Sequence, residues 1–257
     1  MGIAARVLVG FVVAAASTPA GVSGAFLLLP VQVQVFNVPS PAVSATNLLY
    51  NVVSAPAGAV TYQRLGRLDL RLARSLCLGT APGVVVGALV RSTWLSDPDR
   101  FGVVAAVMLL GLGIRTLLDA RPRAVEAATR TGRPPAWRLH AVGLVAGVIG
   151  GIYGLGGAAL IVPRLASVDR HSNERTAGAG LVATTVTSVI GIATFALAEL
   201  AGIGHADAPR WLEGAALGVG GLAGAVVGAR MQSRIPVPAL KVVLALAAIA
   251  AGVRAFP

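Results

Sequence analysis

Two asparagines interrupt an apolar stretch of this sequence, where neutral side chains could hydrogen-bond a small polar ligand. Polar or small residues recur there at spacings of three and four: Ser44, Asn47, Asn51, Ser54 and Gly58. A later stretch carries a comparable series: Gly180, Thr184, Thr187, Ser188 and Gly191. Such spacing places each series on one helix face. Because side-chain amides are costly in hydrocarbon, we interpret Asn47 and Asn51 as lining a substrate pathway. The alternative, open above all for the Thr and Ser residues, is that these side chains only join helices by hydrogen bonds.

Two segments rich in glycine and proline have the composition of helix breaks. The first contains Pro19, Gly21, Ser23 and Gly24, followed by an apolar run to Pro30. The second contains Gly154, Gly156 and Gly157, followed by an apolar run to Pro163. Proline removes a backbone donor and glycine relaxes the backbone dihedrals. A half-helix that begins at such a break points the positive end of its dipole inward, which favours an anion.

The two sets of residues predict one site. We expect backbone N–H groups around Gly21–Gly24 and Gly154–Gly157 to face Asn47, Asn51, Thr184 and Ser188 near the bilayer midplane. An anion there would be bound by dipoles, amides and hydroxyls, without a charged side chain. Close packing of glycines between helices, with no ligand, is the alternative.

Residues for other chemistry are missing from the apolar stretches. They are expected to contain no buried Asp, Glu, Lys, Arg or His, and so no proton relay. The three histidines, His140, His171 and His205, lie far apart beside polar gaps. Without a nucleophile and base, a carboxylate pair or a cluster of metal ligands, we expect no enzymatic activity, no cofactor and no metal site.

The composition places these residues in a membrane protein. The chain has 257 residues, of which 56% are hydrophobic and 12% charged, about half the charged fraction of a soluble protein. This excludes an ordinary soluble enzyme and a disordered chain. The net charge of +11 lies in short gaps between apolar runs, not on a basic helix face interleaved with aromatic residues, so we expect no nucleic-acid partner.

Eight apolar stretches are long enough for membrane segments. They are residues 7–36, 41–62, 72–90, 101–118, 139–162, 177–198, 211–229 and 237–255. All are expected to be helical, because lipid offers no partners to backbone groups. The amino-terminal stretch, with Arg6 before an apolar core and small residues at Ala14–Ser17, resembles a secretory signal. The stretch that follows has a counterpart later in the chain, so we predict no cleavage.

The chain contains an internal repeat. Gly10, Gly21, Gly24 and Pro30 recur at one constant offset in residue number, here called the repeat offset, as Gly143, Gly154, Gly157 and Pro163. Ser54 matches Ser188 to within a single position of that offset. Glycines of the third segments also correspond: Gly79, Gly83 and Gly87 with Gly220, Gly224 and Gly228. Spaced four apart, these favour close helix packing. We predict a repeat at 1–118, a basic cytoplasmic linker at 119–138 and a second repeat at 139–257.

Charges in the gaps predict the topology. The second gap, the linker, and the fifth and seventh gaps are net positive; the first and third are neutral, and the sixth is negative. If all eight segments crossed, the second half would violate the positive-inside rule. If segments 7–36 and 139–162 instead enter and leave on one side, every positive gap is cytoplasmic. The sequence thus predicts an all-α polytopic fold with six full crossings, two inverted four-segment repeats, and both termini outside.

At Gly154-Leu155-Gly156-Gly157 followed by Pro163, echoed at Gly21 to Pro30, the sequence resembles the TauE/SafE family of sulfite exporters. The resemblance covers essentially the full length. It implies a multi-pass permease of the bacterial inner membrane for sulfite, a sulfonate or a related sulfur-containing or organic anion. Ser23 stands where the second half has Gly156, a departure from the fuller glycine cluster. A non-transporting scaffold or assembly protein and an anion channel are the alternatives, and the oligomeric state stays open.

Overall fold

The structure is a computed structural model that describes residues 2–20, 23–120, 136–156, 173–205, 208–234 and 236–255. Every regular element in these ranges is helical. The helices are α1 (Ile3–Ser17), α2 (Ala25–Gln34), α3 (Ser40–Arg64), α4 (Leu70–Thr93), α5 (Pro98–Asp119), α6 (Ala136–Tyr153), α7 (Asn173–Leu200), α8 (Trp211–Met231) and α9 (Val237–Ala255). Short 3-10 turns, Thr18–Ala20 and Gln232–Arg234, extend α1 and α8. The prediction of an all-helical fold is confirmed for these ranges.

Six helices in the described ranges are long and apolar enough to cross a membrane. They are Ile3–Ala20 and the helices α4, α5, α7, α8 and α9. The helix α3 is not among the six, although its 25 residues would extend about 37 Å, more than the hydrocarbon core. It carries the asparagine series, which lowers its hydropathy. With six helices of sufficient length and hydropathy, the chain is a multi-pass membrane protein.

The first apolar segment is broken where its composition predicts. The helix α1 ends at Ser17, a 3-10 turn contains Pro19, and α2 begins at Ala25. Pro30 was expected to mark a helix break, but it lies inside α2. Proline there removes one backbone hydrogen bond without ending the helix, because α2 is buried on most of its length and packs on α3. The expected break at Pro163 lies outside the described residues.

Glycines bring α4 against α6 and α1 against α8. A Cβ atom on Gly83 would lie 2.2 Å from the Leu144 carbonyl oxygen, and one on Gly224 would lie 2.2 Å from that of Phe11. The repeat offset relates Phe11 to Leu144, so the two interfaces use corresponding positions. The spacing of these glycines correctly predicts close packing.

The helices α3 and α7 cross antiparallel in the centre of the bundle. Gly58 lies against Leu181, and Gly191 lies against Leu48. The repeat offset relates Gly58 to Gly191 and Leu48 to Leu181, so each contact is the counterpart of the other. The same offset pairs Ser54 with Thr187, the neighbour of Ser188.

Contacts at one end of the bundle, here called the Arg6 end, join the starts of several helices. The Arg6 guanidinium lies 3.7 Å from the Glu213 carboxylate at the start of α8 and 5.2 Å from the ring centre of Phe36, just after α2. The backbone N–H of Arg210 donates to the Thr46 hydroxyl in the second turn of α3, at 3.0 Å. The chain after α2 has therefore returned to the level at which α1 begins.

The opposite end, here called the Tyr62 end, joins the ends of α1, α3 and α8. The Tyr62 hydroxyl donates to Gln232 Oε1 at 2.6 Å, and Gln232 Nε2 donates to the Pro19 carbonyl at 2.7 Å. Gly178, in the second turn of α7, lies against Tyr62. The helices α1, α3 and α8 thus run from the Arg6 end to the Tyr62 end, while α7 runs the other way.

Candidate functional site

The side chain of Asn51 joins the two glycine-rich segments. Asn51 is 1% exposed on α3. Its Oδ1 accepts a hydrogen bond from the Ser23 hydroxyl at 2.6 Å, in the break between α1 and α2. Its Nδ2 donates to the Gly154 carbonyl at 3.2 Å, at the end of α6. The two series of polar or small residues that lie on α3 and α7 are here called the polar stripe: Ser44, Asn47, Asn51, Ser54 and Gly58, and Gly180, Thr184, Thr187, Ser188 and Gly191. One amide from this stripe therefore contacts both breaks.

Asn47, one turn earlier on α3, makes a parallel set of contacts. Its Nδ2 donates to the carbonyls of Ala25 at 3.1 Å and of Tyr153 at 3.4 Å. Its Oδ1 accepts from Nε2 of Gln32, which is buried on α2. Sequence reasoning missed Gln32, although a glutamine within an apolar run is the same signal that identified the asparagines.

The second break ends α6 with left-handed residues. Gly154 and Gly156 have φ angles of +81° and +70°, a conformation that side chains other than glycine rarely adopt. The N–H groups of Gly154 and Leu155 donate to the Gly150 carbonyl within the last turn of α6. The N–H groups of Gly154 and Leu155 are therefore already paired within α6 and do not face α3.

This corrects one expectation from the sequence. Backbone N–H groups were expected to face the stripe at both segments, but the side chains of Ser44, Asn47 and Asn51 donate to the carbonyls of Ile152, Tyr153 and Gly154. The physical reason is that the described part of the second segment is the carboxyl end of a helix, which exposes carbonyls without partners. Gly157, which follows, lies outside the described residues.

The part of the polar stripe that lies on α7 contacts the second glycine segment at Gly156. The Thr187 hydroxyl donates to the Gly156 carbonyl. A Cβ atom on Gly156 would lie 2.8 Å from Ser188 Oγ and 2.9 Å from Thr184 Cγ2. The Ser188 hydroxyl is buried without a hydrogen-bond partner among the described residues. Gly154 and Gly156 thus lie between side-chain amides of α3 and hydroxyls of α7.

A small polar cavity lies at the amino-terminal end of α2. It has about 10 Å³ of space for the centre of a water-sized sphere, close to the minimum for one water molecule. Its polar lining consists of Ser17, Thr18, Ser23, Tyr50, Asn51 and Ser54. Gly24 caps the helix here, and the N–H of Ala25 is 3.2 Å from Ser23 Oγ. At the first break, a helix amino terminus therefore faces the stripe as expected, among neutral side chains.

Of the residues that the sequence nominates, the structure brings together Ser23, Gly24, Asn47, Asn51, Ser54, Gly154, Gly156, Thr184, Thr187 and Ser188. Gly21, Gly157 and Pro163 lie outside the described residues. Ser17, Thr18 and Tyr50 were missed because serine, threonine and tyrosine are common in membrane helices and their spacing gave no further signal.

The expectation that the apolar stretches contain no buried charged side chain is wrong for Lys241, in the stretch 237–255, which is 8% exposed. Arg91, in the gap after the third stretch, is also buried, at 1% exposed. Arg91 Nε lies 3.2 Å from the Ser44 hydroxyl, and its two terminal nitrogens donate to the carbonyls of Ser40 and Leu95. The sequence places Arg91 in a gap between apolar stretches. It is buried there because the starts of α3 and α5 cover the last turns of α4.

Comparisons with known proteins identify the family of this chain. The family model described as Sulfite exporter TauE/SafE matches residues 6–255. The chain is 22% identical over 265 residues to Probable membrane transporter protein YunE of Bacillus subtilis (strain 168), covering 93% of both chains. No solved structure matches the chain. The protein therefore belongs to the TauE/SafE sulfite exporter family of membrane transporters.

Proposed function

We propose that this protein is a carrier that moves a small oxyanion, such as sulfite or a sulfonate, across the bacterial inner membrane. The substrate binds where the two glycine segments meet the polar stripe of α3 and α7, near the bilayer midplane. The observation that carries this proposal is the position of Asn51, which hydrogen-bonds Ser23 of one segment and Gly154 of the other. A ligand that enters there exchanges these contacts for its own.

The chemistry of the cavity favours an anion with several oxygen acceptors. Ser23, Tyr50 and Asn51 can each donate a hydrogen bond, and no charged residue is among the described residues that line the cavity. The start of α2 adds about half a positive charge. Each hydrogen bond contributes about 1 kcal/mol net. A site of this kind binds weakly enough to release its substrate on either side.

Transport requires the two segments to separate. The cavity at Asn51 is close to the size of one water molecule, which is smaller than an oxyanion. The end of α6 joins α3 through single hydrogen bonds from Ser44, Asn47 and Asn51 to carbonyls, each of which contributes about 1 kcal/mol net. Gly154 and Gly156 give the chain a hinge at this point.

We further propose that the repeats at 1–118 and 139–257 are inverted copies and that the first segment of each re-enters. The proximity of Phe36 to Arg6 and the antiparallel contacts of Gly58 and Gly191 support this arrangement. The Tyr62 end also carries Arg67 in the loop between α3 and α4, flanked by Arg64 at the end of α3 and Arg71 at the start of α4. By the positive-inside rule this end is cytoplasmic.

Flux measurements in vesicles test the function. Purified protein in liposomes is expected to move labelled sulfite, a sulfonate or thiosulfate faster than empty vesicles, and unlabelled substrate inside should accelerate uptake of label by exchange. Flux without such exchange indicates the channel alternative. No flux for any small anion indicates a scaffold or assembly protein, which gains nothing from interrupted helices.

A further inference from the structure

A groove on the outer face of the bundle runs between α3 and α8. It has about 380 Å³ of space for the centre of a water-sized sphere, and its walls include Val53, Pro56, Val60, Leu222 and Val226. Val60 and Leu222 are each 43% exposed. In a bilayer this face contacts lipid, so the groove has the shape and polarity to hold an acyl chain.

Two arginines line the groove at the Tyr62 end. Arg64 ends α3 and Arg230 is in the last turn of α8. Both are exposed, and neither pairs with a carboxylate among the described residues. Because both helices end here, the two guanidinium groups lie at the level of lipid headgroups.

The corresponding positions in the other half carry no such charge. The repeat offset pairs Arg64 with Leu197, and the offset that relates Gly83 to Gly224 pairs Arg230 with Leu89. The Leu197 side chain is 65% exposed. The corresponding helices, α4 and α7, therefore pack at the opposite end of the bundle without arginines at these positions, so packing alone does not require Arg64 and Arg230.

We propose that this groove is a binding site for an anionic phospholipid. One acyl chain lies along Val60 and Val226, and the headgroup phosphate lies between Arg64 and Arg230. Arginine binds phosphate oxygens in bidentate geometry, and anionic lipid is enriched on the cytoplasmic surface that positive loops mark. The site is separate from the proposed substrate site and does not depend on the transported ion.

Site-specific quenching tests this proposal. The chain has a single cysteine, Cys77, so Cys77→Ser allows a bimane label at Val60→Cys in the groove. Leu78→Cys is the matched control, since Leu78 is 59% exposed on α4 and lies one helical turn after Arg74. The labelled proteins are reconstituted with doxyl-labelled phosphatidylglycerol or doxyl-labelled phosphatidylcholine.

The quantity compared is the apparent affinity for phosphatidylglycerol divided by that for phosphatidylcholine, obtained from the quenching at each position. We expect this ratio to be at least about fivefold higher at Val60→Cys than at Leu78→Cys, since each arginine favours anionic lipid by about that factor. The double variant Arg64→Gln with Arg230→Gln should remove the higher preference for phosphatidylglycerol at Val60→Cys. The double variant Arg71→Gln with Arg74→Gln should leave that preference unchanged. Excess inorganic phosphate should not displace the lipid. Equal lipid preference at Val60→Cys and Leu78→Cys would overturn the proposal, as would equal effects of the two double variants. Quenching by neither lipid at Val60→Cys would also overturn it, and is the result expected if a second copy of the chain fills the groove.

Discussion

The Tyr153 hydroxyl donates a hydrogen bond to the Phe26 carbonyl at 3.3 Å. That carbonyl is the one that Pro30, one helical turn later in α2, leaves without its usual helical partner. A proline in one half of the chain is thus compensated by a tyrosine in the other. This relationship explains how α2 continues through Pro30 in an apolar environment.

A double-mutant cycle tests this compensation. Tyr153→Phe should lower the free energy of unfolding by about 1–3 kcal/mol, because it leaves a buried carbonyl unpaired. On a Pro30→Ala background the loss should be smaller, since alanine restores the N–H that bonds Phe26. Thermal unfolding can be followed with a thiol-reactive dye on Cys77, the single cysteine. Equal losses on the two backgrounds would contradict the compensation.

Gly156→Ala should reduce transport and lower stability. The left-handed backbone costs a non-glycine residue about 1–2 kcal/mol, and the new methyl group would lie 2.8 Å from Ser188 Oγ. Two controls separate these effects. Gly202→Ala introduces the left-handed strain where nothing lies within 4 Å, and Gly111→Ala introduces neither strain nor contact. If Gly156→Ala and Gly202→Ala behave alike in anion flux, the contact with α7 has no role in transport.

Gly83→Ala and Gly224→Ala should destabilise the protein to a similar extent. In both variants the new Cβ would lie 2.2 Å from a backbone carbonyl oxygen of the facing helix, so α4 and α6, or α1 and α8, must move apart. Gly102→Ala is the control, since nothing lies within 4 Å of it. The measurement is the thermal midpoint in detergent. A midpoint unchanged in only one of the two variants would mean that the interfaces do not correspond.

Cysteine labelling should place the two ends of the bundle on opposite sides of the membrane. Gly66→Cys and Gly202→Cys, each on a Cys77→Ser background, are matched, because both glycines have positive φ and open surroundings. An impermeant maleimide should label Gly202→Cys in intact cells and Gly66→Cys only after permeabilisation. Labelling of both from the same side would contradict the re-entrant topology.

Composition and residue spacing predicted the helical membrane fold, the break near Pro19 and the meeting of Asn51 with the glycine segments. These features follow from local rules, since a polar residue in lipid must face protein and glycine and proline mark breaks. The burial of Arg91 and the role of Tyr153 could not be predicted in this way. Both depend on which helix ends meet in three dimensions, and only the tertiary packing determines that.

The same reason explains why carbonyls, and not N–H groups, face Asn47 and Asn51 at the second segment. A glycine-rich break has an incoming helix end and an outgoing helix start, which present opposite dipoles. The sequence of Gly154-Leu155-Gly156 does not say which of the two faces α3. The hydrogen bonds from α3 side chains to the carbonyls of Ile152, Tyr153 and Gly154 show that the incoming end of α6 does so.

The most direct test of the substrate site is the initial rate of labelled sulfite uptake by liposomes that contain Asn51→Asp. A carboxylate loses the donor to the Gly154 carbonyl and repels an oxyanion, so we expect the rate to fall at least about tenfold, which corresponds to about 1.4 kcal/mol. Thr116→Val is the control, because the buried Thr116 hydroxyl donates to the Leu112 carbonyl of its own helix at 2.7 Å. This variant should retain the rate of the unaltered protein. Sulfite uptake by Asn51→Asp at the rate of Thr116→Val would contradict the proposed site.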